Sequence, residues 1–232
     1  MTQWYPATLV ARSPAADGLT DLTIDVSVGP LASAHQRPGQ YVHLRLPGHE
    51  EGLFAIASPP GSSGKWDLLV KEGSALPNAL ILLPLGSQVE VSRPEGRGFP
   101  LEQVKGKGKD LLLFATGSGI SPIRSVIESV RQEREAYERV TLYFGARTPG
   151  AFAYVKDFQT WERARIRVVP TVSQPGASGW QGLTGYVQAH LAEVPLATGT
   201  IAFVCGQREM VEGVVKALHA RGLAPDAIHQ NF

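Results

Sequence analysis

Cysteine is almost absent from the chain. Cys205 is the only one in 232 residues, which excludes an internal disulfide and an iron–sulfur cluster held by four thiolates of this chain alone. Apolar runs are short, and none approaches the ~18 residues that a membrane helix needs. A net charge of either sign is also missing. With 22 basic and 21 acidic side chains, no strong field draws the protein to nucleic acid or an anionic membrane. The six histidines never take a metal-ligand spacing such as His-Glu-x-x-His, so no metal site is expected. The start, Met1-Thr2-Gln3-Trp4-Tyr5, lacks the basic-then-apolar build of a secretion signal. A cytoplasmic protein without a membrane span is the expectation.

What is present is length and hydrophobic content enough for two cored domains, with 43% hydrophobic residues. The first hundred residues read as short strands, at 4–11, 22–28, 40–46, 53–57, 66–71 and 88–92. Tyr41-Val42-His43-Leu44-Arg45-Leu46 alternates as a strand with one wet face does. Turn-forming stretches such as Arg37-Pro38-Gly39 and Pro59-Pro60-Gly61 punctuate them. This spacing predicts a small antiparallel β-barrel of the Greek-key type, with one helix over 77–83 opened by Pro77. The segment 104–110 is polar and Gly-rich, with nothing in it that can pack. It divides the chain into 1–105 and 106–232, its lysines reading as a solvated linker.

Beyond that segment strands and helices alternate. Strands are expected at 111–115, 140–145, 166–171, 201–205 and 227–232, and helices at 122–135, 151–163, 185–192 and 208–221. Continuous apolar strands separated by helices predict an α/β doubly wound parallel sheet. The first strand runs directly into Thr116-Gly117-Ser118-Gly119-Ile120-Ser121-Pro122. Gly117 and Gly119 permit positive φ and close backbone approach. Ser121 suits an N-cap and Pro122 the first helical position. Free amides and the helix dipole would then face a phosphate. The residues alone leave two readings open, a phosphate site or a tight strand-to-helix connection. The turn is not the Gly-x-Gly-x-x-Gly fingerprint.

The same turn resembles the Gly-x-Gly-Ile-(Ala/Ser)-Pro motif of the ferredoxin–NADP⁺ reductase superfamily. Arg37-Pro38-Gly39-Gln40-Tyr41, Leu142-Tyr143-Phe144-Gly145-Ala146-Arg147, Gly185-Tyr186-Val187 and Val204-Cys205-Gly206-Gln207-Arg208-Glu209-Met210 also match, the last with Gln207 where proline is usual. Phe54-Ala55-Ile56-Ala57-Ser58-Pro59-Pro60 looks like a plant and bacterial reductase-like branch. The resemblance covers essentially the whole chain. It implies a flavin-binding-type barrel over 1–105, a pyridine-nucleotide domain over 106–232, and hydride transfer between NAD(H) or NADP(H) and FAD. It places the nucleotide phosphates on Thr116, Gly117, Ser118, Gly119 and Ser121, and the nicotinamide near Cys205, Gly206 and Met210. Cys205 read from the residues alone is a small side chain ending a strand. Phe232 stands where relatives often have an aromatic residue against the flavin; it equally finishes a buried strand.

The chain departs from the family's Arg-x-Tyr-Ser flavin motif. Aligned on Ile56-Ala57-Ser58, the three specified positions hold Gly52, Phe54 and Ala55. Phe54 retains an aromatic ring, and Gly73-Ser74, with Asn78, offers a second pyrophosphate site at a helix start. Arg45, Lys71 and Arg93 are the neighbouring cations. For the 2′-phosphate, Ser173-Gln174 replaces the Ser-Arg pair of NADP-preferring members, which leans the reading to NADH, with Arg147 as the other candidate. The leading expectation is a FAD-dependent NAD(P)H oxidoreductase passing electrons to an unidentified acceptor, a protein among the options. The alternatives are a nucleotide- or partner-binding module that has lost flavin, and an electron-transfer subunit whose iron–sulfur partner is another chain.

Overall fold

The computed structural model describes residues 2–106, 108–192 and 194–231. Its first half contains β1 (Tyr5–Ala16), β2 (Leu19–Asp25), β3 (Tyr41–Arg45), β4 (Gly52–Ala55), β5 (Lys65–Lys71), α1 (Ala75–Leu82) and β6 (Gln88–Val91). These strands form one antiparallel sheet in the order β4-β3-β6-β1-β2-β5. The bridge between Ile56 and Leu68 brings the two edges together, so the sheet closes as a barrel. Alternation determines what fills it. Leu22 and Ile24 on β2, Val42 and Leu44 on β3, and Trp66, Leu68 and Val70 on β5 all point inward.

The second half contains β7 (Leu111–Thr116), α2 (Ile120–Gln132), β8 (Val140–Ala146), α3 (Val155–Arg163), β9 (Ile166–Val172), β10 (Leu183–Thr184), β11 (Ile201–Cys205), α4 (Arg208–Ala220) and β12 (Ile228–Gln230). The sheet is parallel in the order β10-β9-β8-β7-β11-β12. Leu111, Leu113 and Ala115 face α2, while Leu112 and Phe114 face α4, so β7 is apolar on both sides. Strand order reverses between β7 and β11, and the crevice beyond their carboxyl ends is where this architecture holds ligands.

Three expectations change. The segment 185–192 is no helix. Only a 3-10 turn forms over Val187–His190, anchored by buried Val187 and Leu191. Two apolar anchors cannot supply the longer stripe that a surface helix needs. Helix α3 begins at Val155 instead of near residue 151, because Tyr154 sits in the left-handed region at φ 61°. The linker also packs. Val104 is fully buried, Gly106 bridges to Tyr137, and Asp110 is buried in an ion pair with Arg139. No helix among the described residues is long and apolar enough to cross a membrane.

Candidate functional site

The two sheets are joined along α2. Ser121 Oγ donates to the Ala55 carbonyl (2.8 Å), Ser125 Oγ to the Ser58 carbonyl (2.7 Å) and Arg124 Nη1 to the Ala57 carbonyl (3.2 Å). Leu19, Ala57 and Leu69 of the barrel share a core with Ile120, Ile123 and Ile127 of α2. Ile56, Ala57 and Ser58, expected to contact a cofactor, are therefore buried in or beneath this seam. Ser58 is held there by its own side chain, whose Oγ accepts from Asp67 N–H (3.1 Å).

Ser121 is likewise not an N-cap. Gly117–Gly119 form a 3-10 turn that runs straight into α2 at Ile120, which places Ser121 inside the helix with its hydroxyl spent on Ala55. The two glycines do different work. Gly117 has φ +53°, and a Cβ there would meet nothing within 4 Å. Gly119 is right-handed, but a Cβ would lie 2.6 Å from the Cys205 carbonyl oxygen and from Gly206 Cα. The phosphate turn and the end of β11 are thus in backbone contact. Gln207 N–H donates to Thr116 Oγ1 (2.9 Å) and ties the two loops again. Met210 is buried under Gly206, its Cε 2.7 Å from where a Cβ would stand, and supports this loop from below.

Between the barrel and these loops lies a cleft of about 530 Å³. The barrel contributes Leu53, Phe54, Lys71, Ser74 and Pro77 among others; the parallel sheet contributes Thr116, Gly117, Ser118, Gly119, Cys205, Gly206 and Gln207. Phe54 is withdrawn into the barrel core at 7% exposure, its ring over Gly52, and Leu53 is the exposed apolar side chain of β4. Of the three cations considered, Arg45 is committed to Glu90 and Trp4, and Arg93 to Tyr5. Lys71 lines the cleft without an ion-pair partner among the described residues. Ser74 caps α1 with its side chain unused, whereas Asn78 Oδ1 accepts the Gly73 N–H (3.1 Å) and so stabilises the loop. Apolar walls, one free ammonium, a free hydroxyl and two glycine-rich loops fit a flat aromatic body joined to a diphosphate. Arg147 and Ser173 lie outside this cleft, at the carboxyl ends of β8 and β9. Arg147 Nε donates to Gln174 Oε1 (2.8 Å). Phe232 lies outside the described residues.

Cys205 ends β11 against the cleft, but burial pushes its thiol up to about 12. A thiol so protonated is a poor nucleophile, so its place is steric. Iodoacetamide at pH 8 should leave native protein unmodified and label it once after denaturation. Rapid labelling of native chain, read by intact mass, would contradict this.

Residue-by-residue reading missed the charged cluster that braces the seam. Arg124 pairs with Asp67 (3.0 Å) and Asp157 (3.6 Å) and lies over the Tyr154 ring at 4.6 Å. Tyr154 O–H donates to Asp21 Oδ1 (2.9 Å). These residues come from β2, β5, α2 and the α3 entry, and no local pattern links them. Burial, with Asp67 nearby, raises the Asp21 carboxyl to about 6 from 3.8. The folded state thus holds this proton more tightly than the unfolded chain. Its stabilising contribution is complete below pH 4 and is lost as pH rises through 6, about 3 kcal/mol in all. Asp21→Asn should therefore unfold at higher urea than the native protein at pH 8, with that advantage gone at pH 4. Parallel stability curves for the two proteins across this window would refute the assignment.

The model of the oxidoreductase NAD-binding domain family matches residues 113–216. The chain is 32% identical to fruit protein pKIWI502 of Actinidia deliciosa, over 97% of this chain and 76% of that protein. It is 33% identical to ferredoxin–NADP reductase B of Sorangium cellulosum, over 94% of this chain and 91% of that one. With sulfhydrogenase 1 subunit gamma of Pyrococcus furiosus it shares 29% identity over 83% of this chain, spanning 66% of that subunit. In fold it superposes on a Neisseria gonorrhoeae ferredoxin NADP⁺ reductase structure with bound FAD and NADP, at a TM-score of 0.78 and 18% identity, over the whole of both chains.

Proposed function

The chain belongs to the ferredoxin–NADP⁺ reductase superfamily, and we propose that it oxidises a nicotinamide nucleotide, NADH by preference, and delivers the electrons to a protein acceptor. Membership places it among NAD(P)H-dependent, FAD-binding oxidoreductases. The observation that carries the proposal is the single cleft in which the switch-point loops face the barrel. When bound there, FAD supplies the redox chemistry by accepting hydride from the nicotinamide.

The chain's own residues bind and orient. Gly117, Ser118 and Gly119 would hold the nucleotide phosphates through backbone amides at the start of α2. Cys205 and Gly206 would form the surface against which the nicotinamide lies, since their side chains are too small to displace it. Lys71 and Ser74 would meet the FAD diphosphate in place of the arginine that Gly52 lacks, and Leu53 and Phe54 would supply the apolar wall. Arg147 and Ser173 would flank the adenosine end, where the bond from Arg147 to Gln174 in place of a second arginine favours NADH. The protein-acceptor reading draws on the sulfhydrogenase subunit, a component of a larger enzyme by its name.

Reconstitution with FAD followed by anaerobic addition of NADH or NADPH tests this. A visible flavin band that NADH bleaches faster than NADPH is expected, and Lys71→Ala should weaken FAD binding about tenfold or more, as for a lost charge-assisted bond. Gly52 and the withdrawn Phe54 favour a second reading, a nucleotide-binding module without flavin. NADH binding with no retained FAD at saturating concentration would select it.

A further inference from the structure

We propose that the pocket at the amino ends of β7, β8 and β9 is a second binding site, for a small organic carboxylate. The chain between β10 and β11 packs Val187, Leu191 and Val194 onto Leu112 and Tyr143, and Arg167 stays exposed at the edge of that face of the sheet. Leu112, Thr141 and Arg167 are neighbours there by strand register, on β7, β8 and β9. A pocket of about 370 Å³ lies at these strand ends, with Leu112, Tyr143 and Pro195 among its apolar lining. It sits towards the amino ends of the strands, while the cleft described above lies beyond their carboxyl ends, so the two sites are separate.

The charge of the pocket selects the ligand. Four arginines line it, Arg134, Arg139, Arg165 and Arg167, against two carboxylates, Asp110 and Glu138. Three of the arginines are already committed. Arg139 is matched by Asp110 and Arg165 by Glu135, and Arg134 donates to the carbonyls of Tyr137, Glu138, Ala164 and Arg165. Arg167 has no hydrogen-bond or ion-pair partner among the described residues, and Glu138 is exposed at the rim. Beside it the Tyr143 ring is buried and stacked on Phe114 at 5.1 Å, while no hydrogen bond satisfies its hydroxyl. Burial holds that hydroxyl protonated, raised above its ordinary range, with Arg167 and Arg221 near enough to oppose the rise. A free guanidinium fork and a phenol donor beside an apolar lining match a carboxylate with a small apolar body.

The test is calorimetric titration of the full chain, with FAD and NAD⁺ at saturation, by benzoate, hexanoate and, as the uncharged control, benzyl alcohol. At least one carboxylate should bind saturably near 1 mM, as expected for so small a ligand, and the alcohol should not. Arg167→Gln should weaken that binding at least tenfold, and Tyr143→Phe, which keeps the stacked ring, several-fold. Arg167 is exposed, so the variant's urea midpoint should be unchanged, which separates lost binding from lost folding. The proposal is overturned if neither carboxylate saturates below about 10 mM. It is equally overturned if Arg167→Gln binds as well as the native chain, or if raising NAD⁺ displaces the carboxylate.

Discussion

Replacing Arg124 with methionine should destabilise the protein by about 1.5–3 kcal/mol at pH 7, because the change leaves half-buried carboxylates without their cation. Methionine keeps much of the packing over Tyr154 and removes only the charge and its hydrogen bonds. Asp67 is then left with Thr23 alone, and Asp157 and Asp21 face it without a counter-ion. The loss should shrink as pH falls through about 6, where Asp21 takes up its proton. Urea unfolding on both sides of that pH measures both effects. A second substitution, Arg124→Met with Asp67→Asn, should recover part of the loss, since a neutral amide tolerates burial better than an unpaired carboxylate. A loss at pH 7 of less than about 1 kcal/mol would place this cluster with ordinary surface ion pairs.

Gly117→Val and Gly119→Ala, only two residues apart, should fail in different ways. At Gly117 the new side chain projects into open space within the cleft, and its own cost is the left-handed backbone, about 1–2 kcal/mol. The fold should survive while NADH affinity falls at least about tenfold, through occupied volume where a phosphate must approach. At Gly119 even a methyl group meets the backbone of Cys205 and Gly206, which cannot rotate away. Overpacking of this kind costs about 1–3 kcal/mol, and it pushes α2 away from β11 before any ligand arrives. Fluorescence titration with NADH, paired with urea midpoints, separates the two. NADH binding by Gly117→Val at native affinity would remove the phosphate from this turn.

The contrast between these glycines shows how far the sequence could be read. The turn at 116–122 was recognisable as a helix entry, and the β-strand alternation gave the barrel and the parallel sheet. Spacing alone gives the two glycines one role and makes Ser121 a cap, however, because it does not say what lies opposite. Ser121 had the chemistry of an N-cap, yet the barrel carbonyl at Ala55 claims its hydroxyl. Ser58 and Ala57 carried a family-like pattern but serve the seam. The helix expected over 185–192 failed for a local reason, since two buried anchors do not make an apolar stripe. The Arg124 cluster was invisible for the opposite reason, as its members are brought together only by the docking of the two sheets. Lys71 stood among three plausible cations until the strand geometry sent Arg45 and Arg93 to other partners.

Helix α2 has one more consequence. Its first turn follows the phosphate loop directly, and Ser121 and Ser125, one helical turn further along the same rod, are fastened to the barrel. The spacing between the nucleotide loops and the barrel wall is therefore a length of helix, about 1.5 Å per residue, and not an adjustable hinge. Two redox partners placed on either side of such a spacer meet at a fixed separation each turnover.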